Sequence, residues 1–444
     1  MAGAVVMTQH RRAPIRRLRY SLSDRPFIVI WELTRACDLA CRHCRADAHP
    51  DPWPGELSTG VGLSLVWQVA NLGRPRPVFV MTGGDPLKRE DLVELVKYSS
   101  TNGLPPAIAP SVTPLLTAEA ITSLRQAGMS TLSLSLDGST AEIHDGFRGI
   151  PGSFEESISA IETAKSLGIR VQVNTTVTPH DYLDLARIAH MVRAFEPVAW
   201  SVFFLVPTGR GVDLGHLSAE VCEDLLHFLY DVGKEMPVKV TEAPHYRRVV
   251  IQRQILEEKG SSAHPGGGSV YHALRLQYRE LSKAGMLPDG PMGTFRPTAA
   301  AGGAGHGKHH PNGGSGNGGS GNGGSRLSIK RSPLAVSSSR GFVFVSHTGE
   351  VYPSGFMPIS CGNVRDQSLL DIYRDSPMLQ ALRDPRKLLG RCGLCEFREI
   401  CGGSRSRAFG VTGNPFAEEP WCNYEPGSFP DQERIRDIVE NPEL

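Results

Sequence analysis

The sequence predicts an α/β fold: a partial (β/α)6 TIM-like barrel followed by a small cysteine-rich C-terminal domain. Three observations carry this expectation. Short apolar, β-branched runs alternate with helical stretches, as the strands and crossover helices of a parallel sheet do. Glycines and short polar residues fall just after those runs, where parallel barrels keep their binding loops. Seven of the nine cysteines sit in two tight groups, one early and one late.

Six strands are expected, at 27–34, 78–83, 106–113, 130–137, 170–177 and 199–206, and none alternates strictly enough for a sheet wet on one face. Between the fourth and fifth, Ser153 followed by Glu156 reads as a capping box. Ile158, Ile161, Ala164 and Leu167 then line one apolar face, and Gly168 supplies the stop. Cys222 shares a helical stripe with Leu225, Leu226 and Leu229 and belongs to a core. The chain divides into a basic arm (1–25), the barrel (26–215), a helical connector (216–296), a Gly/Ser/Asn-rich flexible linker (297–326), the cysteine-rich domain (327–427) and a tail (428–444). The linker cannot bury enough apolar surface to offset ordering entropy, and its His306, His309 and His310 are read as part of that flexible tract rather than as metal ligands. An amphipathic helix within YHALRLQYRELSKAG is expected to cover the open side of the barrel. His245, Arg247 and Arg248 are expected near its mouth, either to dock a substrate carboxylate or as surface charges.

Composition narrows the function classes. With 47 basic and 46 acidic residues the formal charge is +1, which gives no reason to expect nucleic acid. No apolar run reaches membrane-spanning length, and the basic N-terminus lacks the apolar region of a secretory signal. Cysteines grouped for metal rather than in pairs point to a reducing cytoplasm.

The chemistry is concentrated in CDLACRHC. Cys37, Cys41 and Cys44 lie close together with no fourth cysteine nearby. A cubane iron–sulfur cluster normally takes four thiolates and zinc sites usually take two pairs, so three cysteines point to a cluster or metal completed by a non-protein ligand, the alternative being three reduced cysteines in a loop or a zinc knuckle. The second group is Cys392, Cys395 and Cys401, then Cys422. Four thiolates fill either a cluster or a structural zinc site, and spacing alone leaves both open.

The first spacing resembles that of the radical S-adenosylmethionine (SAM) superfamily. The resemblance implies a [4Fe-4S] cluster on Cys37, Cys41 and Cys44 whose fourth iron binds SAM. A low-potential electron then cleaves SAM to a 5′-deoxyadenosyl radical that abstracts hydrogen from a substrate. It also implies SAM contacts from His43 (adenine edge), from Gly83, Gly84 and Asp85 (the GGE-type motif, here with Asp), and from Ser111, Thr113, Ser135, Asp137 and Asn174 near ribose and methionine. Arg148 is implied at the SAM carboxylate, and the backbone around Val206 at adenine. Ser, Thr, Asp and Asn at these places equally suit helix caps.

GEVYPSGF, GNVRDQSLLDIYR, CGLCEFREICGGS and PWCNY resemble a SPASM/twitch domain, which carries auxiliary clusters. Ser354 and Ser404 stand where cysteines of one cluster are expected, implying that it is absent. One auxiliary [4Fe-4S] cluster is then implied on Cys392, Cys395, Cys401 and Cys422, with an electron-transfer role, leaving Cys361 a free thiol. A reductant such as flavodoxin or ferredoxin is implied, together with a small-molecule or peptide substrate. ELTRACDLACRHCRA and SHTGEVYPSGFMPISCGNVR are similar to the haem d1 and alternative haem synthesis branch, implying oxidative modification or decarboxylation of a tetrapyrrole-like or other small carboxylate substrate. The alternatives are modification of a ribosomally made peptide and a non-catalytic electron-transfer or zinc protein.

Overall fold

The computed structural model describes residues 20–261, 267–284 and 336–440. Most of the basic arm and the linker with its three histidines lie outside the described residues. One nine-stranded sheet organises the molecule: β1 (Ile28–Glu32), β2 (Val78–Thr82), β3 (Ala107–Ile108), β4 (Thr131–Ser135), β5 (Arg170–Val177), β6 (Ala199–Phe204), β7 (Val238–Thr241), β8 (Phe342–Val345) and β9 (Val351–Tyr352). Their order is β7-β6-β5-β4-β3-β2-β1-β8-β9. All neighbours are parallel except the last pair.

Crossover helices α1 (Thr59–Ala70), α2 (Leu92–Thr101), α3 (Ala118–Gln126), α4 (Ala141–Arg148), α5 (Ser153–Ser166), α6 (Leu185–Ala194) and α7 (Ala219–Val232) connect the strands. Ser58, Thr117, Thr140 and Ser218 cap α1, α3, α4 and α7 by accepting backbone N–H bonds. The expected capping box at Ser153 is not formed. Gly152, at φ 84°, is the N-cap, and the Ser153 hydroxyl donates instead to Asp145 at 2.8 Å. Asp145 also accepts from the Gly152 and Phe154 N–H groups, so one carboxylate does the capping for the whole turn.

The core lies between strands and helices: Val29, Trp31, Met81, Leu132, Leu134, Val173, Trp200 and Val202 pack on Leu65, Val66, Leu95, Ile161, Ala189, Leu225 and Cys222. The opposite faces of the strands line the barrel lumen. β5 alternates strictly, with Val171, Val173, Thr175 and Val177 buried and Gln172, Asn174 and Thr176 half-buried. This corrects the expectation that no strand would alternate: the lumen of an incomplete barrel is open enough to admit polar groups.

Two features extend the sheet beyond six strands. β7 lies within the stretch read as a helical connector, and β8, from the C-terminal part, pairs with β1 across some three hundred residues of chain. α8 (Tyr246–Glu258) and α9 (Ser269–Ala284) follow β7. α9 packs on α6 and α7 rather than over the lumen. α10 (Leu369–Asp375), α11 (Pro377–Arg383), α12 (Gly390–Leu394), α13 (Arg405–Thr412) and α14 (Gln432–Glu440) complete the C-terminal part.

At the β1/β8 seam Glu32 is buried, 2.8 Å from Arg45 and 3.1 Å from His347. Burial alone would push its pKa up, but Arg45 and His347 more than offset this and hold it at about 2 against an ordinary 4.5. Charged Glu32 therefore contributes on the order of 3 kcal/mol at neutral pH. That contribution is complete above its unfolded pKa, near 4.5, and is lost as pH falls toward about 2. The stability gap between the wild type and Glu32→Gln, measured by denaturant titration, is expected to shrink as pH falls from 5 toward 2. A gap unchanged over that range would contradict this assignment.

Candidate active site at the barrel mouth

The cysteine loop sits over the carboxyl ends of the strands. Cys37, Cys41 and Cys44 pack together with Leu39 and Ala48. Three exits from the barrel grip this loop. From β2, Gly84 N–H donates to Thr34 O (2.8 Å) and Asp85 N–H to Ala36 O (2.6 Å). A Cβ on Gly83 or Gly84 would come within 2.3 Å of the Thr34 or Ala36 carbonyl oxygen, so only glycine permits this approach. From the end of α4, Phe147 O accepts from Arg42 N–H (3.0 Å), and an Arg148 N–H donates to Cys41 Sγ (3.6 Å). From β6, Arg210 donates through its backbone to Cys44 O (3.0 Å) and through its guanidinium to Cys41 O (2.9 Å) and Ala48 O (3.1 Å).

The residues expected around SAM fall into two sets. Ser111, Thr113, Asp85, Asp137 and Arg148 are largely engaged with the protein. Ser111 accepts from Cys37 Sγ (3.2 Å) and donates to Gly84 O (2.7 Å), while Thr113 donates to Asp85 (2.7 Å), fixing the Gly83–Gly84 turn. Asp137 is ion-paired with Arg148 and accepts from Thr176 N–H (2.6 Å). Burial pushes the Asp137 pKa up, but the Arg148 charge above all carries it below its ordinary value. The second set is not held by ion pairs: Ser135 and Asn174 are half-buried on the lumen face, in register with one another, and Asn174 accepts from Gln172 (2.8 Å). Val206 is buried at the β6 exit. His43 stacks on Phe147 (4.5 Å between centroids, 5° between planes), and burial followed by Arg148 lowers its pKa to about 3, so the ring is neutral.

The second cysteine group is brought together at a distance from the first. Cys392, Cys395, Cys401 and Cys422 line one cavity, with His245, Arg248 and Arg391 in its wall. Burial raises all four thiol pKa values, Cys395 to about 12, so the thiolates need a positively charged group among them. Cys392 Sγ already accepts from Glu419 N–H (3.3 Å), and Cys401 Sγ from Gly403 N–H (3.4 Å). The buried ring nitrogens of His245 find no partner among the described residues. Donors of this kind around a sulfur-lined cavity fit an iron–sulfur cluster. Cys361 stands apart, donating to Ile359 O, and Cys222 is fully buried in the core.

The expectation that His245, Arg247 and Arg248 would meet a substrate carboxylate is not met. His245 and Arg248 face the cysteine cavity, Arg248 is paired with buried Glu223, and Arg247 donates to Ile400 O and Val336 O. Ser354 and Ser404 both donate to one carboxylate, Glu242, as does Ser406. A protein hydrogen-bond network thus occupies the place where the two missing cysteines were expected. Glu242 was not singled out from sequence, because it is one acid in a loop and its three serines lie more than a hundred residues away.

The radical SAM superfamily profile matches residues 31–192, and that of the SPASM iron–sulfur cluster-binding domain matches residues 338–396. The chain therefore belongs to the radical SAM superfamily and carries a SPASM extension. It is 36% identical over 411 residues to the AdoMet-dependent heme synthase of Oleidesulfovibrio alaskensis, covering 92% of this chain and 89% of that protein. It is 27% identical to the Fe-coproporphyrin III synthase of Methanosarcina barkeri over 93% of this chain and 91% of that one. The fold is similar to that of Streptococcus suis SuiB bound to S-adenosylmethionine, at a TM-score of 0.59 and 13% identity, covering 90% of this chain and 78% of that one. The protein is a radical SAM enzyme, with a [4Fe-4S] cluster and SAM in its barrel domain and auxiliary iron–sulfur chemistry in its SPASM domain. Such enzymes use a reductant and a small-molecule or peptide substrate. Among the described residues no helix is long and apolar enough to cross a membrane.

Proposed function

We propose that this enzyme oxidatively decarboxylates a carboxylate side chain of a tetrapyrrole. The observation that carries this reading is the likeness, over nine-tenths of the chain, to proteins named heme synthase and Fe-coproporphyrin III synthase. Conversion of a propionate to a vinyl group removes one hydrogen atom, carbon dioxide and one further electron. Bound, the first cluster and SAM supply hydrogen-atom abstraction, and an auxiliary cluster supplies an electron acceptor.

The protein's own residues do the rest. Cys37, Cys41 and Cys44 hold the first cluster, and Cys392, Cys395, Cys401 and Cys422 hold a single auxiliary one, the Glu242–serine network standing where another would be. Asp85 and Thr113 fix the glycine turn from below, and Asp137 aims Arg148 at the cysteine loop, ready for the SAM carboxylate. Ser135 and Asn174 present polar groups to the lumen, Val206 contributes backbone, and the neutral His43 stacked on Phe147 offers a flat edge to adenine. Flavodoxin or ferredoxin is the proposed reductant and the cytoplasm the proposed compartment. Anaerobic incubation with SAM, dithionite and Fe-coproporphyrin III, followed by mass spectrometry, should show loss of carbon dioxide and two hydrogens per converted side chain. Unchanged porphyrin beside consumed SAM would reject this substrate class.

A further inference from the structure

Strand pairing places four lumen residues in one row across adjacent strands: Ser135 with Asn174, Asn174 with Ser201, and Ser201 with Lys239. Paired residues of parallel strands present their side chains to the same face. The partners of this row, Val173, Trp200 and Val202, fill the helix-side core, so Lys239 shares the lumen face with Ser135 and Asn174, two of the proposed SAM contacts. The contact of Ser201 Oγ with Thr241 Oγ1 (3.2 Å), two residues along β7, agrees with that orientation.

Lys239 differs from the other cations at the mouth. Arg45 is paired with Glu32, Arg148 with Asp137, and Arg407 with Glu419, and Arg210 is engaged with loop carbonyls. Lys239 makes no hydrogen bond or ion pair with a described residue, and its side chain is exposed. Protein nevertheless surrounds the ammonium closely enough for desolvation to lower its pKa, with no anion in opposition. An exposed lumen cation with no counter-charge among the described residues is available to pair with an anion that enters the lumen. At about 4.8 Å per strand, the row spans roughly 14 Å from Ser135 to Lys239, so an anion at Lys239 belongs to a molecule lying across the lumen beside SAM.

We propose that Lys239 anchors a carboxylate of the substrate, setting which side chain of a polycarboxylate is presented to the reacting centre. The proposal rests on the tetrapyrrole reading above for the identity of that carboxylate. It makes Lys239 a specificity residue and accounts for a charge placed on a strand of an inward-facing sheet.

The test is Soret titration of the reconstituted full-length enzyme with SAM present, using Fe-coproporphyrin III and its tetramethyl ester. Lys239→Met should weaken binding of the free acid about tenfold to a hundredfold, the worth of a hydrogen bond to a charged group, and Lys239→Arg should restore most of it. The wild type should favour acid over ester, and Lys239→Met should lose that preference. The SAM-induced change in the cluster's electron paramagnetic resonance (EPR) spectrum should persist in Lys239→Met, showing the site is intact. Equal affinity of wild type and Lys239→Met for the acid overturns the role of Lys239 while leaving the substrate reading standing. A wild type that binds neither porphyrin overturns the substrate reading, and the anchor with it.

Discussion

Replacement of Cys41 by alanine is expected to reduce SAM cleavage to the background of protein lacking iron. Cys41 is the middle of the three thiols, its sulfur accepts from Arg148, and its carbonyl accepts from Arg210. Losing the thiol removes a cluster corner and the Arg148 contact, while the backbone carbonyl keeps its bond from Arg210. Iron should fall from about eight to about four per chain, because a cubane held by two thiolates is not retained. Cys392→Ala should lose a similar amount of iron while SAM cleavage survives, since its sulfur lies in the separate cavity. If Cys392→Ala also lost SAM cleavage with its first cluster intact, the two sites would not be functionally separate.

The second large effect is expected at Arg407. Its guanidinium is fully buried, 2.9 Å from Glu419, and it lies 3.9 Å over the Trp421 ring. It also donates to the carbonyls of Phe204 (3.2 Å), Leu205 (3.2 Å) and Glu242 (2.6 Å), at the carboxyl ends of β6 and β7. One side chain therefore ties the C-terminal domain to the rim of the barrel. Arg407→Ala leaves the Glu419 carboxylate buried without its partner, a loss of about 3–5 kcal/mol. Denaturant unfolding measures it, and Arg407→Lys should recover only part, because an ammonium cannot span carboxylate and carbonyls together. A change under about 1 kcal/mol would place the domain contact elsewhere.

Much of this architecture was legible in the sequence. The six barrel strands announce themselves as apolar runs because their residues face a continuous core, and the cysteine groups stand out because metal ligands must be close in space and here are close in sequence. The remainder depends on contacts that spacing does not encode. β8 joins β1 through a pairing between residues 28–31 and 342–345, and no local pattern reports such a partner. β7 is four residues, VKVT, and a lysine inside so short a run reads as surface loop rather than lumen wall. His245, Arg247 and Arg248 look available in the sequence because their partners, Glu223, Ile400 and the cysteine cavity, come from other elements. The capping box at Ser153 fits its motif, but Asp145, eight residues earlier, is better placed to accept those bonds.

The central claim is that Cys37, Cys41 and Cys44 hold a cluster with one iron left for SAM. EPR of the anaerobically reconstituted, dithionite-reduced Cys392→Ala variant, recorded before and after SAM is added, reads that cluster without its neighbour. A SAM-dependent shift of the spectrum is the result predicted here. A signal that SAM leaves unchanged, at concentrations saturating for enzymes of this superfamily, would contradict it.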